Sequence, residues 1–426
     1  MKASAERLAF LRRLTLAGLA SVGLLTLVRL AFVDGWQRRI TIEGASMAPA
    51  FQGAHYAARC ASCGCEYEFV ANEPPGRGET VCPNCSSRRP PVAITAQAGD
   101  RVLIDRWPLL WRDPERWETV AATLGAEFMI KRVVALPGET LELRGGDVWV
   151  NQRPAERPGE VESQQSYLVH DDRRRSSSDR LRRWIAGPGW TETGDGYRFT
   201  PPAKAGAFEY AHARVDFRPN GVTEPSAILD DDPYNLHANR RLHEVRDIAL
   251  ACQLTAAQEA NFTFGLHDGA AWCWAKWSAA ETRWRLSREE VALDQRSADA
   301  LPADARIEFS RCDGRLRLTV NGLVVVEARL PPTADDCEYS QRPLRIEAAD
   351  GEIHVRDLVV RRDVFYLDPD DRGGDWRAPR ALAPAEFALL GDNAPASVDS
   401  RRFAEYGVRR ERLLGVVIPW SRRPPP

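Results

Sequence analysis

The sequence predicts a mainly β protein held by one N-terminal transmembrane helix, and three observations carry that prediction. Short runs of alternating apolar and polar residues, broken by Pro-Gly, Asp-Gly and Asn-Gly turns, fill most of the chain from about residue 93 onward. One uncharged apolar stretch, residues 14–28, lies near the N-terminus. Two C-x2-C pairs fall within residues 57–92. At roughly 100 to 200 residues per domain, 426 residues make about two to four folded units. The 58 Lys and Arg residues are balanced by 60 Asp and Glu residues, so no basic excess advertises a nucleic-acid partner. Apolar residues at 44% and a mean hydropathy of -0.40 describe a mostly water-soluble globular protein, so a polytopic membrane protein is excluded.

The anchor follows from length and flanks. After Arg29 the apolar character continues through Leu30, Ala31, Phe32 and Val33, giving about 20 residues, the length a helix needs to cross hydrocarbon. Lys2, Arg7, Arg12 and Arg13 precede it, so the positive-inside rule keeps the N-terminus cytoplasmic and sends the chain after about residue 34 across the membrane. Arg29 snorkels its guanidinium to the headgroups. A cleavable signal peptide is the competing reading, but no small-x-small site follows before Asp34-Gly35-Trp36. Residues 1–35 are therefore expected to be a cytoplasmic N-terminus and a retained span, with membrane lipid as a partner.

Residues 36–56 and 93–155 read as parts of one β domain, with strands expected at 101–105, 128–134, 140–143 and 148–150. The cysteine-dense segment 57–92 interrupts it. Residues 156–184, centred on Arg173-Arg174-Arg175 and Ser176-Ser177-Ser178, read as a solvated linker. Strand and turn return over 185–365. There 306–312, 315–320 and 323–329 meander through Asp313-Gly314 and Asn321-Gly322, which supply the positive φ of tight hairpins. Leu316, Leu318 and Val320 then share one face, and 344–348 and 353–360 flank Asp350-Gly351. An antiparallel sandwich is expected, resembling the concanavalin-like jelly rolls in phrases such as GRLRLTVNG and EIHVRDLVVRRD.

Cys60-x2-Cys63 and Cys82-x2-Cys85 have the spacing of a four-cysteine zinc ribbon, in which metal coordination folds a segment too small for its own core. Two disulfides are the alternative outside the cytoplasm. Four thiolates leave no open position, so the zinc is structural and not catalytic. Cys65 is a fifth thiol without a required role. Cys252, Cys273, Cys312 and Cys337 fall in the sandwich and allow three pairings. Trp272, Trp274 and Trp277 form an aromatic cluster there, for sugar stacking or for core packing.

A serine becomes a nucleophile only beside a base. His55 is near Ser46 in sequence, whereas His170, His212, His237, His243, His267 and His354 fall in the linker or the sandwich, and none has triad context. Lys131 is isolated in the apolar run Phe128-Met129-Ile130-Lys131-Arg132-Val133-Val134. Period two puts Met129, Lys131 and Val133 on one face; burying that face lowers the lysine pKa and frees an amine to accept a proton. An edge or snorkelling lysine is the other reading of such a strand.

Four blocks follow the apolar span in order: GASMAP at 44–49, GDRVLIDR at 99–106, IKRVVALPGETLELRGGDVWVN at 130–151 and LGDNAPASVDSR at 390–401. Together they resemble type I signal peptidases, the Ser/Lys membrane proteases that remove signal peptides from exported proteins. Carrying both insertions is similar to signal peptidases of planctomycete type. The resemblance implies a signal-peptidase-like β catalytic domain, made of residues 36–56, 93–155 and 366–426, with Ser46 as nucleophile and Lys131 as general base. It implies that Ser397 hydrogen-bonds and orients the lysine, that Asp392, Asp399 and Arg401 form a supporting polar network, and that Arg132 faces those carboxylates from behind. The backbone N–H of Ser46 would be one oxyanion donor. The side-chain hydroxyl that some members place two positions before the nucleophile is replaced here by Gly44. Ala394-Pro395-Ala396 and Arg402 to Gly407 also depart from the family pattern, in scaffold more than in chemistry.

What the resemblance implies is a bacterial cytoplasmic-membrane endopeptidase that cuts exported preproteins after small residues of Ala-x-Ala type, needs no catalytic cofactor and has the secretion machinery as a further partner. A catalytically inactive, membrane-tethered glycan- or protein-binding protein is the alternative, and the ligand of the sandwich is left open. A self-cleaving Ser/Lys regulator shares the dyad, but the span and the G-D-N-x4-S-x-D-S-R block argue against it. The segment from about 160 to 370 is expected to be a removable accessory unit that contributes no catalytic group.

Overall fold

The structure, a computed structural model, describes residues 2–32, 35–70, 81–175, 182–201, 205–216, 223–235, 240–298, 300–331, 340–369 and 375–420. The chain is mainly β, after one long helix, Lys2–Phe32. Within it, Phe10–Arg29 is 20 residues long and apolar, and its side chains are exposed. Where the helix leads into the first strand, aromatic side chains gather at the surface. Trp36, Trp107 and Trp111 follow one another with ring centroids 5.0 and 6.0 Å apart, and the Arg39 guanidinium lies 3.8 Å from the ring centroid of Trp420. Trp107, Trp111 and Trp420 are 48%, 75% and 47% exposed.

A seven-stranded sheet carries Lys131 and the strand that precedes Ser46. Its strands, in spatial order, are Gln37–Thr41, Arg101–Asp105, Leu413–Pro419, Thr119–Leu124, Glu127–Ala135, Glu386–Leu390 and Val408–Arg409. Leu413–Pro419 is sandwiched between two strands from the first third of the chain, so the sheet is complete only when residues 413–419 return to it. Alternation does the rest: Val102 and Ile104 bury one side of their strand, and Val120, Ala121 and Ala122 fill the centre. A smaller four-stranded sheet orders Arg153–Pro154, Asp147–Val150, Leu141–Arg144 and Trp376–Arg377.

The second large unit is a sandwich of an eight-stranded and a seven-stranded antiparallel sheet. The hairpins expected at Asp313-Gly314 and Asn321-Gly322 are present, each with positive φ at both residues. Asp350-Gly351 also has positive φ at both residues, but the strands it joins, Leu344–Ala349 and Ile353–Arg362, lie in different sheets, so it is a crossover between the two sheets and not a hairpin. Leu316 and Leu318 are buried, with Val320 at the margin of the same core. Of the three tryptophans, Trp277 enters that core, whereas Trp272 and Trp274 stack on each other at 5.1 Å on the outer face of the strand Trp272–Ser278. Cys252, Cys273 and Cys312 are unbridged, and Cys337 lies outside the described residues.

Two sequence expectations change. The ribbon begins earlier and ends later than 57–92: His55–Arg59 pairs with both Glu66–Val70 and Ala93–Gln97 in a three-stranded sheet. Residues 156–184 are not, in their described part, a solvated linker. Gly159–Gln164 is a helical turn, and Tyr167–Asp171 joins the eight-stranded sheet beside Ile353–Arg362. Its charges find partners inside the protein. Buried Arg157 donates to Asp313 through Nε at 2.9 Å and Nη2 at 2.7 Å, and through Nη1 to Asp363 at 2.9 Å. Arg173 pairs with Asp171, and Arg175 with Asp172. Ser176, Ser177 and Ser178 lie outside the described residues.

Phe309 is fully buried between the sheets. Phe309→Ala is expected to cost the sandwich about 3 to 5 kcal/mol, visible as an earlier melting transition of that unit. An unchanged melt would show that the sandwich core is not packed as described.

Candidate active site

Register brings three distant segments together. Lys131 stands opposite Val120 in the neighbouring strand, and Arg132 is flanked by Thr119 on one side and Leu390 on the other. Leu390 is the last residue of its strand, so the turn 391–401 begins beside the lysine. The nucleophile segment is fastened from below: Met47 and Phe51 are buried in a cluster with Val102, Ile104 and Ile130. Above it, Asn393 holds the turn by its backbone. The Asn393 N–H donates to Ser46 O at 3.0 Å, and Asn393 Nδ2 donates to Ala45 O at 3.0 Å.

The result is direct contact between Lys131 Nζ and Ser46 Oγ, at 2.8 Å. The lysine is only 4% exposed. Burial pushes its pKa below the ordinary lysine value; the charges of Asp399 and Asp392 pull it partly back, and Arg401 pushes it down again. A neutral amine at this distance can accept the serine proton, the hydroxyl then donating to nitrogen.

The charged neighbours are themselves neutralised. Arg132 grips Asp392 with two bonds, Nε to Oδ1 at 2.8 Å and Nη2 to Oδ2 at 2.6 Å, and donates through Nη1 to Trp117 O. Arg401 grips Asp399 likewise, at 2.8 and 2.7 Å. Asp399 also accepts from Gly391 N and from Ser397 Oγ; although burial alone would raise its pKa, these donors and Arg401 hold it below the usual carboxylate range. The resemblance implies a bond from Ser397 to the lysine. The hydroxyl instead donates to Asp399 Oδ2 at 2.7 Å, so its link to Lys131 runs through that carboxylate's charge.

Three polar residues that the sequence reading left unassigned complete the surroundings. Asn393 was legible as the third letter of the G-D-N block. Gln165, fully buried, donates to Asp392 Oδ1 at 2.7 Å and to the Tyr366 hydroxyl at 2.8 Å, while its Oε1 accepts from Arg157. Asn235, on the sandwich, pairs with Asn393. No local pattern marked either of the last two. The expected independence of the segment from about 160 to 370 therefore meets two side chains that reach the turn behind the serine.

The four cysteines form a second centre. Their sulfurs all lie within 4.8 Å of one another, with Cys60 to Cys85 at 3.6 Å and Cys63 to Cys82 at 3.7 Å. A tetrahedral ion with metal–sulfur bonds of about 2.3 Å requires sulfur–sulfur edges of about 3.8 Å, so the set fits such an ion. The two knuckles are alike: Gly64 N donates to Cys60 O, and Ser86 N donates to Cys82 O. Cys65 lies buried beside them and is not one of the four. The ribbon is tied to the body by Asn84, whose Nδ2 donates to Asp171 O and Arg174 O.

Comparison with known proteins assigns a class to part of this arrangement. The family described as signal peptidase, peptidase S26, matches residues 80–188, a span that includes Lys131 and Arg132 but neither Ser46 nor 390–401. The chain thus contains a signal-peptidase-like domain. No curated protein matches the chain. Among solved structures, it is similar to a carbohydrate binding module from Bacillus subtilis (9% identity, 42% of this chain and 96% of that one, TM-score 0.28). It is also similar to a protein of unknown function with a galectin-like fold from Bacillus subtilis (10%, 46% and 96%, TM-score 0.30) and to a Bacillus licheniformis β-glucanase (9%, 44% and 95%, TM-score 0.27).

Gly391 has no room for a side chain, because a Cβ there would meet Ser397 Oγ and the backbone oxygen of Ser46. Gly391→Ala is expected to cost about 1 to 3 kcal/mol through overpacking. A thermal melt identical to that of the unsubstituted protein would refute this close approach.

Proposed function

We propose that the chain is a membrane-bound serine endopeptidase of signal peptidase type, with Ser46 as nucleophile and Lys131 as general base. The observation that carries this reading is the 2.8 Å contact between Lys131 Nζ and Ser46 Oγ, made by an amine that burial drives toward its neutral form. In the proposed reaction Lys131 takes the hydroxyl proton as Ser46 Oγ adds to the scissile carbonyl. The Ser46 N–H stabilises the oxyanion. Lysine then returns the proton to the leaving amine, and the acyl-enzyme is released by water that the same lysine deprotonates.

Asp399, Arg401 and Ser397 on one side, and Arg132 with Asp392 on the other, act in this scheme as positioning residues that fix the field at the amine. The substrates are exported preproteins with small residues, typically Ala, at the first and third positions before the cut; the type I signal peptidase resemblance supplies this specificity. The helix Lys2–Phe32 is the anchor in a bacterial cytoplasmic membrane, with the N-terminus cytoplasmic and the catalytic unit outside. Zinc on Cys60, Cys63, Cys82 and Cys85 is the structural metal, since four thiolates with tetrahedral edges suit it.

Cleavage of a preprotein by the full-length protein in detergent or vesicles tests the reading. Ser46→Ala and Lys131→Ala are each expected to lower kcat by about a thousandfold or more while the melt is retained, and the double variant should be no worse than either. Lys131→Arg should be equally inactive, because a guanidinium keeps its proton. Activity of the unsubstituted protein should rise with pH as the amine deprotonates, with a midpoint below the ordinary lysine value of about 10.4. A rate flat from about pH 5 to 9 would exclude a lysine base.

For the metal, elemental analysis should find about one zinc per chain, lost in Cys60→Ser and Cys82→Ser. Absence of free thiols in denatured, unreduced protein would replace the metal by disulfides.

A further inference from the structure

In the scheme above the oxyanion is met by a single backbone donor, the Ser46 N–H, since Gly44 brings no hydroxyl. That donor belongs to a rigid plane. The Ala45 carbonyl and the Ser46 N–H are two ends of one peptide unit, so whatever fixes the direction of Ala45 O fixes the direction of the Ser46 N–H as well. Ala45 O accepts from Asn393 Nδ2 at 3.0 Å. What holds the Asn393 amide in turn comes from the sandwich. Asn235 Nδ2 donates to Asn393 Oδ1 at 2.9 Å, and Asn393 Nδ2 donates its second hydrogen to Asn235 Oδ1 at 3.0 Å.

This reciprocal pair removes a degree of freedom. An isolated asparagine can turn its amide over and exchange donor for acceptor. Asn393 cannot do so here without facing Ala45 O with its own oxygen and breaking both bonds to Asn235. Asn393 is fully buried, so an unmatched amide would be costly.

Asn235 is itself held firmly. It ends the turn Pro233–Asn235, in which Tyr234 N donates to Asp232 Oδ1 at 3.0 Å and Asn235 N donates to Asp232 O at 3.0 Å. Arg362, buried at the end of the sandwich strand Ile353–Arg362, donates to Asp231 O at 2.8 Å and to Asp230 O at 3.1 Å, and Arg240 clasps the Asp230 carboxylate at 2.6 Å. Tyr234 is buried with its ring 6.2 Å from that of His55, on the strand that follows the nucleophile segment. The turn is thus mounted on the sandwich and seated against the nucleophile segment.

We propose that Asn235 is a positioning residue for the reaction: through Asn393 it sets the orientation of the Ala45–Ser46 peptide and so aims the one oxyanion donor. This rests on the reading of Ser46 as nucleophile. It makes the sandwich a working part of the catalytic apparatus.

Asn235→Ala, Asn393→Ala and the double variant of the full-length protein are compared with the unsubstituted chain in two ways. In preprotein cleavage, Asn235→Ala should lower kcat about tenfold with KM little changed, because the lost alignment is felt in the transition state. The acid limb of its pH profile should stay in place, since Lys131 keeps its surroundings, and adding Asn235→Ala to Asn393→Ala should lower kcat no further. In hydrogen exchange followed by mass spectrometry, which needs no activity, peptides covering 391–397 should exchange faster in Asn235→Ala as the Asn393 N–H loses its hold on Ser46 O, while the whole protein still melts cooperatively.

An undiminished kcat with unchanged exchange overturns the proposal, and so does a kcat loss that persists in the Asn393→Ala background. If the unsubstituted protein cleaves no preprotein, the protease reading fails while the exchange arm still decides whether Asn235 orders the turn.

Discussion

A lysine proposed as a general base has to be held below its ordinary pKa, and for Lys131 burial does this. An amine excluded from solvent would ordinarily attract carboxylates, which would hold it charged. Two carboxylates are indeed close, but each is engaged by its own arginine, Asp392 by Arg132 and Asp399 by Arg401. Their pull on the ammonium is thereby weakened and burial prevails. Such pairs are not cheap to bury, and breaking one by removing a partner costs about 3 to 5 kcal/mol in comparable interiors. The stability of the turn 391–401 and the chemistry proposed for Lys131 thus depend on the same bonds.

The same economy explains why so much of the chain converges on one turn. Gln165 ties Asp392 to Arg157, which is bound to Asp313 and Asp363 at the base of the sandwich. Asn235, at the end of the turn Pro233–Asn235, reaches Asn393. The ribbon leans on Asp171 and Arg174, next to the strand through which the chain enters the sandwich. Gln165 and Asn235 are far from residues 391–401 in sequence, and in space they buttress that turn.

Much of this was legible before any coordinates. Period-two alternation and Asp-Gly or Asn-Gly turns announce strands locally, and 315–320 and 323–329 fall where that pattern puts them. The blocks around Ser46, Lys131 and Asp392 are contiguous motifs whose residues meet because the strand register brings them together. The failures share a cause. Residues 156–184 look solvated because the partners of their charges are remote: Arg157 and Asp313 are 156 positions apart. Asn235 sits in an unremarkable Asp-Asp-Pro-Tyr-Asn turn whose meaning exists only opposite Asn393. Polar contacts between distant loops leave no period in a sequence. The bond assigned to Ser397 was inherited from a family pattern, and here the carboxylate of Asp399, two residues on, takes the hydroxyl.

The aromatic rim at the foot of the helix has a practical bearing. Trp107, Leu110, Trp111 and Trp420 present apolar surface that the described residues leave exposed, at the same end as the apolar helix. Cutting the protein after Phe32 would therefore not yield an ordinary water-soluble globule. The remainder would still be an amphiphile, inclined to self-associate through that rim and to scavenge detergent, and its handling in solution would be governed by the tryptophans and not by the missing span.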